Sequence, residues 1–253
     1  MQLIDKMHQE GNTLFKYRGQ FPIILFCIAI PVIGPTSYYM ILNEMALSFI
    51  QYIAILISTI GMLFRYYIVI TTPIGTSGRN RSKQIAKSLN TTGAYSLVRH
   101  PLYVANYLIW IGISLYSVSI LFCVCTTILF ILQYERIILA EEKFLSQSFG
   151  LKFQNFCKKT PIFIPSIINY RKPIYYFSIR KIIRREYIST IVTIISFVYI
   201  DVLNYWFFSL EGNGSFLELI NQYQNILLIL ISIAIILKIV KNYTSLLLDE
   251  TSS

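Results

Sequence analysis

Charge is scarce in this chain: only 13% of its 253 residues are Asp, Glu, Lys or Arg, against 55% hydrophobic residues and a mean hydropathy of +0.58. A domain of this length with so few charges cannot cover itself with a water-facing surface, so a soluble globular fold is excluded. Histidine is limited to His8 and His100, too few to hold a metal by themselves. Of four cysteines, Cys27, Cys123 and Cys125 sit in apolar runs and Cys157 in a basic stretch. None has metal-ligand spacing, so no metal is expected. Also missing are a phosphate-binding P-loop, a Gly-x-Gly-x-x-Gly after a strand, a serine nucleophile elbow, internal repeats and long low-complexity segments. No cleavable leader is expected, because about twenty polar and charged residues precede the first apolar run.

Long apolar runs are what the chain does have. Phe21 to Ile41, Ala46 to Ile70, Tyr187 to Phe208 and Tyr223 to Val240 are each long enough to cross a hydrocarbon core of about 30 Å. Leu102 to Leu139 is too long. As one helix it would reach about 57 Å, so it must double back, and Ser114 to Ser119 is the place for the turn. The expectation is an all-α polytopic membrane protein with about six transmembrane helices, the third and fourth forming a tight hairpin. Residues 1–253 read as a single membrane domain.

Basic residues follow this topology. They occupy the N-terminal tail (Lys6, Lys16, Arg18), the loop after the second span (Arg79, Arg81, Lys83, Lys87, Arg99), the stretch from Lys143 to Arg185 and the C-terminal tail (Lys238, Lys241). Arg65 and Arg136 lie near span ends on the same side. The connections on the other side carry none, so both termini and both large loops are expected in the cytoplasm. The net charge of +10 is thereby explained by topology and an anionic inner leaflet, without a nucleic-acid partner.

Two polar clusters break the apolar pattern. The first ends in Arg99-His100-Pro101-Leu102-Tyr103. Pro101 suits the first turn of a helix, which puts His100 at or near its N-cap, where free amides and the helix dipole favour an anionic group. Tyr103 falls on nearly the same face. The cluster also fits a plain interfacial anchor. The second cluster, Tyr134-Glu135-Arg136 and Glu141-Glu142, returns beside the first if the hairpin arms are equal. Its adjacent carboxylates suit an ammonium group, or else begin a solvated amphipathic helix. Together the clusters suit a zwitterion at the cytoplasmic end of the hairpin.

Gly93-x-Tyr95-x-x-Val98-Arg99-His100-Pro101-x-Tyr103, then Glu141-Glu142-x-x-Leu145, Phe149-Gly150-x-x-Phe153-x-x-Phe156 and Pro161-x-Phe163-x-Pro165 follow in order over about residues 58–166. This pattern resembles the isoprenylcysteine carboxyl methyltransferase family, whose superfamily includes phospholipid methyltransferases. The resemblance implies S-adenosylmethionine as cofactor. It carries the cofactor-binding motif onto Leu89, Asn90, Tyr95, His100, Pro101, Leu102, Tyr103 and Glu141, with Arg99 and Glu142 beside them in the same clusters. Methionyl carboxylate and ammonium would meet His100, Tyr103 and Glu141. Two positions depart from the pattern: Ala105 replaces a glycine, a small change that should still let the hairpin helices approach closely, and Phe153 replaces a tyrosine. The resemblance places a methyltransferase core at 46–166. Residues 167–253 are left as a basic linker and an accessory helix pair.

Methyl transfer from a sulfonium chiefly needs alignment and exclusion of water. An anionic acceptor needs an arginine to hold it, and Arg136 and Arg65 are the catalytic candidates; an amine acceptor needs a base such as Glu135 or Glu142. Thr76-Ser77-Gly78-Arg79-Asn80, Leu89-Asn90-Thr91-Thr92-Gly93, Asn106 after the Arg-His-Pro motif and Tyr134-Glu135-Arg136-Ile137 resemble a bacterial branch that includes lipid A 1-phosphate methyltransferases. That favours O-methylation of an anionic lipid head group at an inner membrane, with a lipid or lipidated acceptor as partner and no obligate protein partner. A prenylcysteine carboxylate or a phospholipid amine is the alternative acceptor. Of the other classes, a sterol-reductase-like enzyme would bind NADPH, and a transporter or scaffold would use the Pro31-x-x-Gly34-Pro35 segment as a helix break.

Overall fold

A computed structural model describes residues 2–39, 41–72, 86–168, 170–173, 178–208 and 216–247. The loop motif Thr76 to Asn80 lies outside them. The described residues form α1 (Leu3–Tyr17), a 3-10 turn (Arg18–Gln20), α2 (Phe21–Thr36), α3 (Glu44–Thr71), α4 (Ala94–Leu97), α5 (Pro101–Tyr116), α6 (Ile120–Phe149), α7 (Leu151–Lys159), α8 (Ile179–Phe208) and α9 (Phe216–Tyr243). No strand occurs among them, and the protein is an all-α integral membrane protein. Five stretches are long and apolar enough to span: Leu3–Thr36, Glu44–Thr71, Ile120–Phe149, Ile179–Phe208 and Asn221–Tyr243. The expected third span, α5, is shorter, at 16 residues.

The chain divides into two compact units that alternate along it. One comprises residues 1–24, 64–107 and 127–177, the other 25–63, 108–126 and 178–253. Helices α2, α3, α5 and α6 each contribute residues to both units.

In the first unit, α1 carries Asp5 in its first turn and Lys16 in its last, the favourable arrangement for a helix dipole. Gly11 and Phe15, four residues apart and so on one face, are its buried residues. A Cβ on Gly11 would come within 2.0 Å of the Arg136 carbonyl oxygen, so α1 lies backbone-close to α6. Arg18 closes this helix by donating to the Phe15 carbonyl at 2.7 Å, with its guanidinium 3.8 Å from the Phe15 ring centre. The sequence had suggested only a polar tail here.

The same unit holds α4 and its strap. Gly93, at φ 59°, adopts a conformation that side chains disfavour. Its N–H donates to the Arg171 carbonyl at 2.9 Å, and Ser166 N–H donates to the Leu97 carbonyl at 2.9 Å. Arg99 N–H donates to the Pro161 carbonyl at 2.8 Å. The Pro161-x-Phe163-x-Pro165 motif is thus a strap lying along residues 93–99. Ala105 is fully buried with Ile68 and Ala94, against Phe64, Tyr67, Tyr95 and Leu102. Its smallness lets α5 pack against α3 and α4 at this point.

In the second unit, the hairpin tip falls inside the expected window: α5 ends at Tyr116 and α6 begins at Ile120. Val118 takes φ 56°, a strained value for a β-branched residue. Serines hold it there. Ser117 Oγ donates to the Ser114 carbonyl at 2.7 Å, Ser119 Oγ accepts the Phe122 N–H at 3.2 Å as the cap of α6, and Ser37 Oγ donates to the Ser117 carbonyl at 2.8 Å. Helix α2 runs on through Pro31 and Pro35 to Thr36, so the segment that a transporter would use as a break is helical here. Gly112 is where α5 meets α3: a Cβ there would lie 2.6 Å from the Ala54 carbonyl oxygen.

Candidate active site

The site lies in the first unit, where α5 starts and α6 comes back. The His100 carbonyl accepts the N–H groups of Tyr103 (3.1 Å) and Val104 (3.3 Å), so His100 is the residue from which α5 is launched. Pro101, fully buried behind it, supplies the helical φ at a position where no N–H is needed.

Both carboxylates of the second cluster reach the imidazole. His100 Nε2 lies 3.0 Å from Glu142 Oε1, and Nδ1 lies 3.4 Å from Glu141 Oε2. Arg99 Nη1 donates to the same Glu142 oxygen at 2.8 Å and to Cys157 Sγ at 3.1 Å. Burial works against a charged imidazole, yet the hydrogen bonds and negative charges of Glu141 and Glu142 outweigh it and raise the His100 pKa above 6.5. Burial, seconded by Glu141, pushes the Tyr95 phenol up. Burial likewise raises the Cys157 thiol, against the pull of Arg99.

An aromatic column continues from His100. Its ring stacks on Tyr103 at 5.6 Å and 6°. Tyr103 leans on Tyr134 at 4.5 Å, and Tyr134 stacks on Phe130 at 4.1 Å. The Tyr103 hydroxyl interacts with Glu141. Phe21 closes the column edge-on against Phe130 and Tyr134.

The two candidate arginines have different surroundings. Arg65 Nη1 donates to Asn106 Oδ1, and Asn106 Nδ2 donates to the Tyr134 hydroxyl at 3.3 Å, so Arg65 is joined to the aromatic column by one side chain. Arg136 is instead engaged by α1: its Nε donates to Glu10 Oε2 at 2.8 Å and its Nη1 to the Leu132 carbonyl at 2.7 Å. Of the remaining predicted positions, Tyr95 and Leu102 pack on the Ala94 core, while Leu89 and Asn90 are half-buried in the segment ahead of Gly93. Glu135 is exposed. Glu142, which the sequence also suited to a solvated helix, touches His100 and Arg99. Sequence reasoning did not foresee Cys157 or Glu10 as partners of this region, because neither belongs to a chemical motif. Asn106 was noted as a marker only, and its role as the link to Arg65 depends on α3 packing.

The arrangement offers carboxylates beside an imidazole whose protonated form they favour, with stacked aromatic rings behind them. Among the described residues, no group of three or more His, Cys, Asp or Glu side chains is placed to hold a metal ion.

Comparison with known proteins agrees with the motif region. Residues 49–152 match the family model described as phospholipid methyltransferase. The chain is 33% identical over 100 residues to the nickel-cobalt-cadmium resistance protein NccN of Alcaligenes xylosoxydans xylosoxydans, covering 40% of this chain and 44% of that protein. It is 37% identical over 84 residues to the cobalt-zinc-cadmium resistance protein CzcN of Cupriavidus metallidurans, covering 33% of this chain and 38% of that one. The chain thus matches less than half the length of either curated relative. No solved structure matches. Most of α3, all of α5 and α6 and the His100 cluster they present fall inside the matched stretch, and over residues 49–152 this chain is similar to the phospholipid methyltransferase family.

Proposed function

We propose that the protein is an S-adenosylmethionine-dependent methyltransferase that O-methylates an anionic lipid head group at the cytoplasmic membrane face. The observation that carries the reading is the placement of His100 at the start of α5 between Glu141 and Glu142, stacked on Tyr103. The residues present fit the methionyl end of such a cofactor. Glu141 is partly accessible, with 19% side-chain exposure, and would take the ammonium; the carboxylate would lie at the N-terminus of α5 beside His100, whose protonated form its neighbours favour. When bound, the cofactor supplies an activated methyl group.

The chain's own work is to orient and to exclude water. Tyr103, Tyr134 and Phe130 make an apolar wall beside the polar cluster, which strengthens every charge interaction along it. Arg65, steadied through Asn106, is the side chain we assign to the acceptor's anionic group, whose fork geometry suits phosphate or carboxylate. An anionic acceptor is already a nucleophile and needs no strong base. The basic residues flanking the site support a cytoplasmic orientation and the recruitment of anionic lipid.

The test uses the full chain in bacterial membranes with methyl-labelled S-adenosylmethionine. Label is expected in an organic-extractable lipid of one added methyl mass, and Glu141→Ala should abolish both the label and S-adenosylhomocysteine binding by calorimetry. Binding of NADPH in place of S-adenosylhomocysteine, or label confined to protein, would overturn the reading.

A further inference from the structure

The accessory helices α8 and α9 hold an acidic residue that the methyl-transfer site does not use. Asp201 lies in the spanning stretch of α8, where an ionisable side chain is costly and generally functional. Tyr223 of α9 donates to Asp201 Oδ2 at 2.9 Å, and the Tyr116 hydroxyl, at the last residue of α5, also bonds to it. These phenols hydrogen-bond the carboxyl group and bring no positive charge to it. Among the described residues no Lys, Arg or His is paired with Asp201.

Its surroundings specify a kind of ligand. Tyr39 is close enough to feel the Asp201 charge and stacks on Phe208 at 5.8 Å and 11°. Tyr116 packs edge-on against Phe197 at 5.1 Å. Asn204, one turn from Asp201 on the same face of α8, is 1% exposed, and neither its carboxamide oxygen nor its nitrogen has a hydrogen-bond partner. A carboxylate, an unused amide oxygen and several ring faces match a cation that carries both positive charge and carbon. A bare metal ion is a poor match, because the cluster has one carboxylate and no histidine or cysteine.

The level in the bundle names the source. Tyr116 ends at the polar Ser117-Val118-Ser119 turn, and Tyr39 follows Tyr38, whose N–H donates to the Val118 carbonyl at 3.1 Å. Trp206, further along α8, is half exposed. Polar turns and exposed tryptophans mark head-group depth. We propose that Asp201, with Tyr39, Tyr116, Tyr223 and Asn204, forms a binding site for the alkylammonium head of a zwitterionic phospholipid. The site is separate from methyl transfer and gives the accessory helix pair a lipid-holding role.

The full chain in nanodiscs of phosphatidylethanolamine, phosphatidylcholine or phosphatidylglycerol tests this, read by lipid retained in native mass spectrometry and by the unfolding midpoint. Amine-headed lipids should be retained over phosphatidylglycerol, and Asp201→Asn should reduce that preference about tenfold, as expected for loss of a charge-assisted contact. Choline added to phosphatidylglycerol discs should raise the wild-type midpoint if the free ammonium suffices; an effect of the amine-headed lipids alone identifies the lipid as the source. Should Asp201→Asn fail to fold, the wild-type lipid series and Tyr223→Phe, which keeps the carboxylate and should weaken the preference, still decide. Equal retention of all three lipids by the wild type, or an undiminished preference in Asp201→Asn, overturns the proposal and leaves Asp201 as a protonated tie between helices.

Discussion

His100 is held from both ring nitrogens, with Glu142 Oε1 3.0 Å from Nε2 and Glu141 Oε2 3.4 Å from Nδ1. An imidazole facing two carboxylates serves them best when both nitrogens carry protons. Its pKa is therefore raised in the folded protein even though burial pulls the other way. The sign follows from linkage: a group with a raised folded pKa adds stability below its unfolded value, near 6.5, and loses that contribution as pH climbs through the folded value. The unfolding midpoint in detergent should fall as pH rises above about 6.5, and His100→Gln should flatten that slope. A wild-type midpoint that rises over this interval, or a slope unchanged by the substitution, would show that the imidazole is neutral.

Much of this geometry was legible in the chain. The excess length of the Leu102 to Leu139 run forced a turn, and the turn placed Glu141-Glu142 beside His100, because helix rise and membrane thickness are nearly universal quantities. Less legible was everything set by packing between segments distant in sequence. Nothing in Glu10 or Gly11 announces that α1 lies on α6, and nothing in Arg136 announces that Glu10 engages it. The role of Ala105 was likewise open, since a small residue permits close approach without naming the neighbour. Asp201 stood in an apolar run with its partners on α5 and α9, which periodicity along α8 alone does not reveal.

Gly11 gives a prediction whose sign distinguishes a docked helix from a free tail. In an exposed helix, Gly→Ala is stabilising by about 0.5–1 kcal/mol. Here the new methyl would fall 2.0 Å from the Arg136 carbonyl oxygen and 3.0 Å from Ala140 Cβ, so α1 must move away. Gly11→Ala should lower the unfolding midpoint, with a cost of about 1–3 kcal/mol typical of overpacking, and should open the N-terminal helix to limited proteolysis. A raised midpoint with unchanged cleavage would mean that α1 is not docked.

Gly112 makes the corresponding test of the second unit. Its missing side chain allows α5 to approach the Ala54 carbonyl and Ser58 of α3, with a built Cβ at 2.6 Å and 2.8 Å from them. Close approach through small residues is the main source of helix association in lipid. Gly112→Ala should destabilise by about 1–3 kcal/mol, and Gly112→Leu should prevent stable folding. Monodisperse, wild-type-like melting of the leucine variant would refute this helix contact.

Arg65 and Arg136 separate by what holds them. Arg136 shares a partly exposed ion pair with Glu10, with side-chain exposures of 27% and 41%, so Arg136→Ala should cost less than about 1 kcal/mol in stability and leave the KM for the acceptor unaltered. Arg65 is tied through Asn106 to Tyr134 and so to the column on which His100 stacks. Losing its guanidinium removes a bidentate grip, and lysine does not restore the fork. Arg65→Lys should therefore raise the acceptor KM about tenfold or more, as for loss of a charged contact of about 1.5–3 kcal/mol, with S-adenosylhomocysteine affinity held within about twofold. Asn106→Ala should move the same parameter by a smaller factor, because the arginine remains but is no longer steadied. The three variants, assayed for acceptor KM and cofactor affinity in parallel, check the assignment; a KM shift in Arg136→Ala with none in Arg65→Lys would transfer the acceptor-holding role to Arg136.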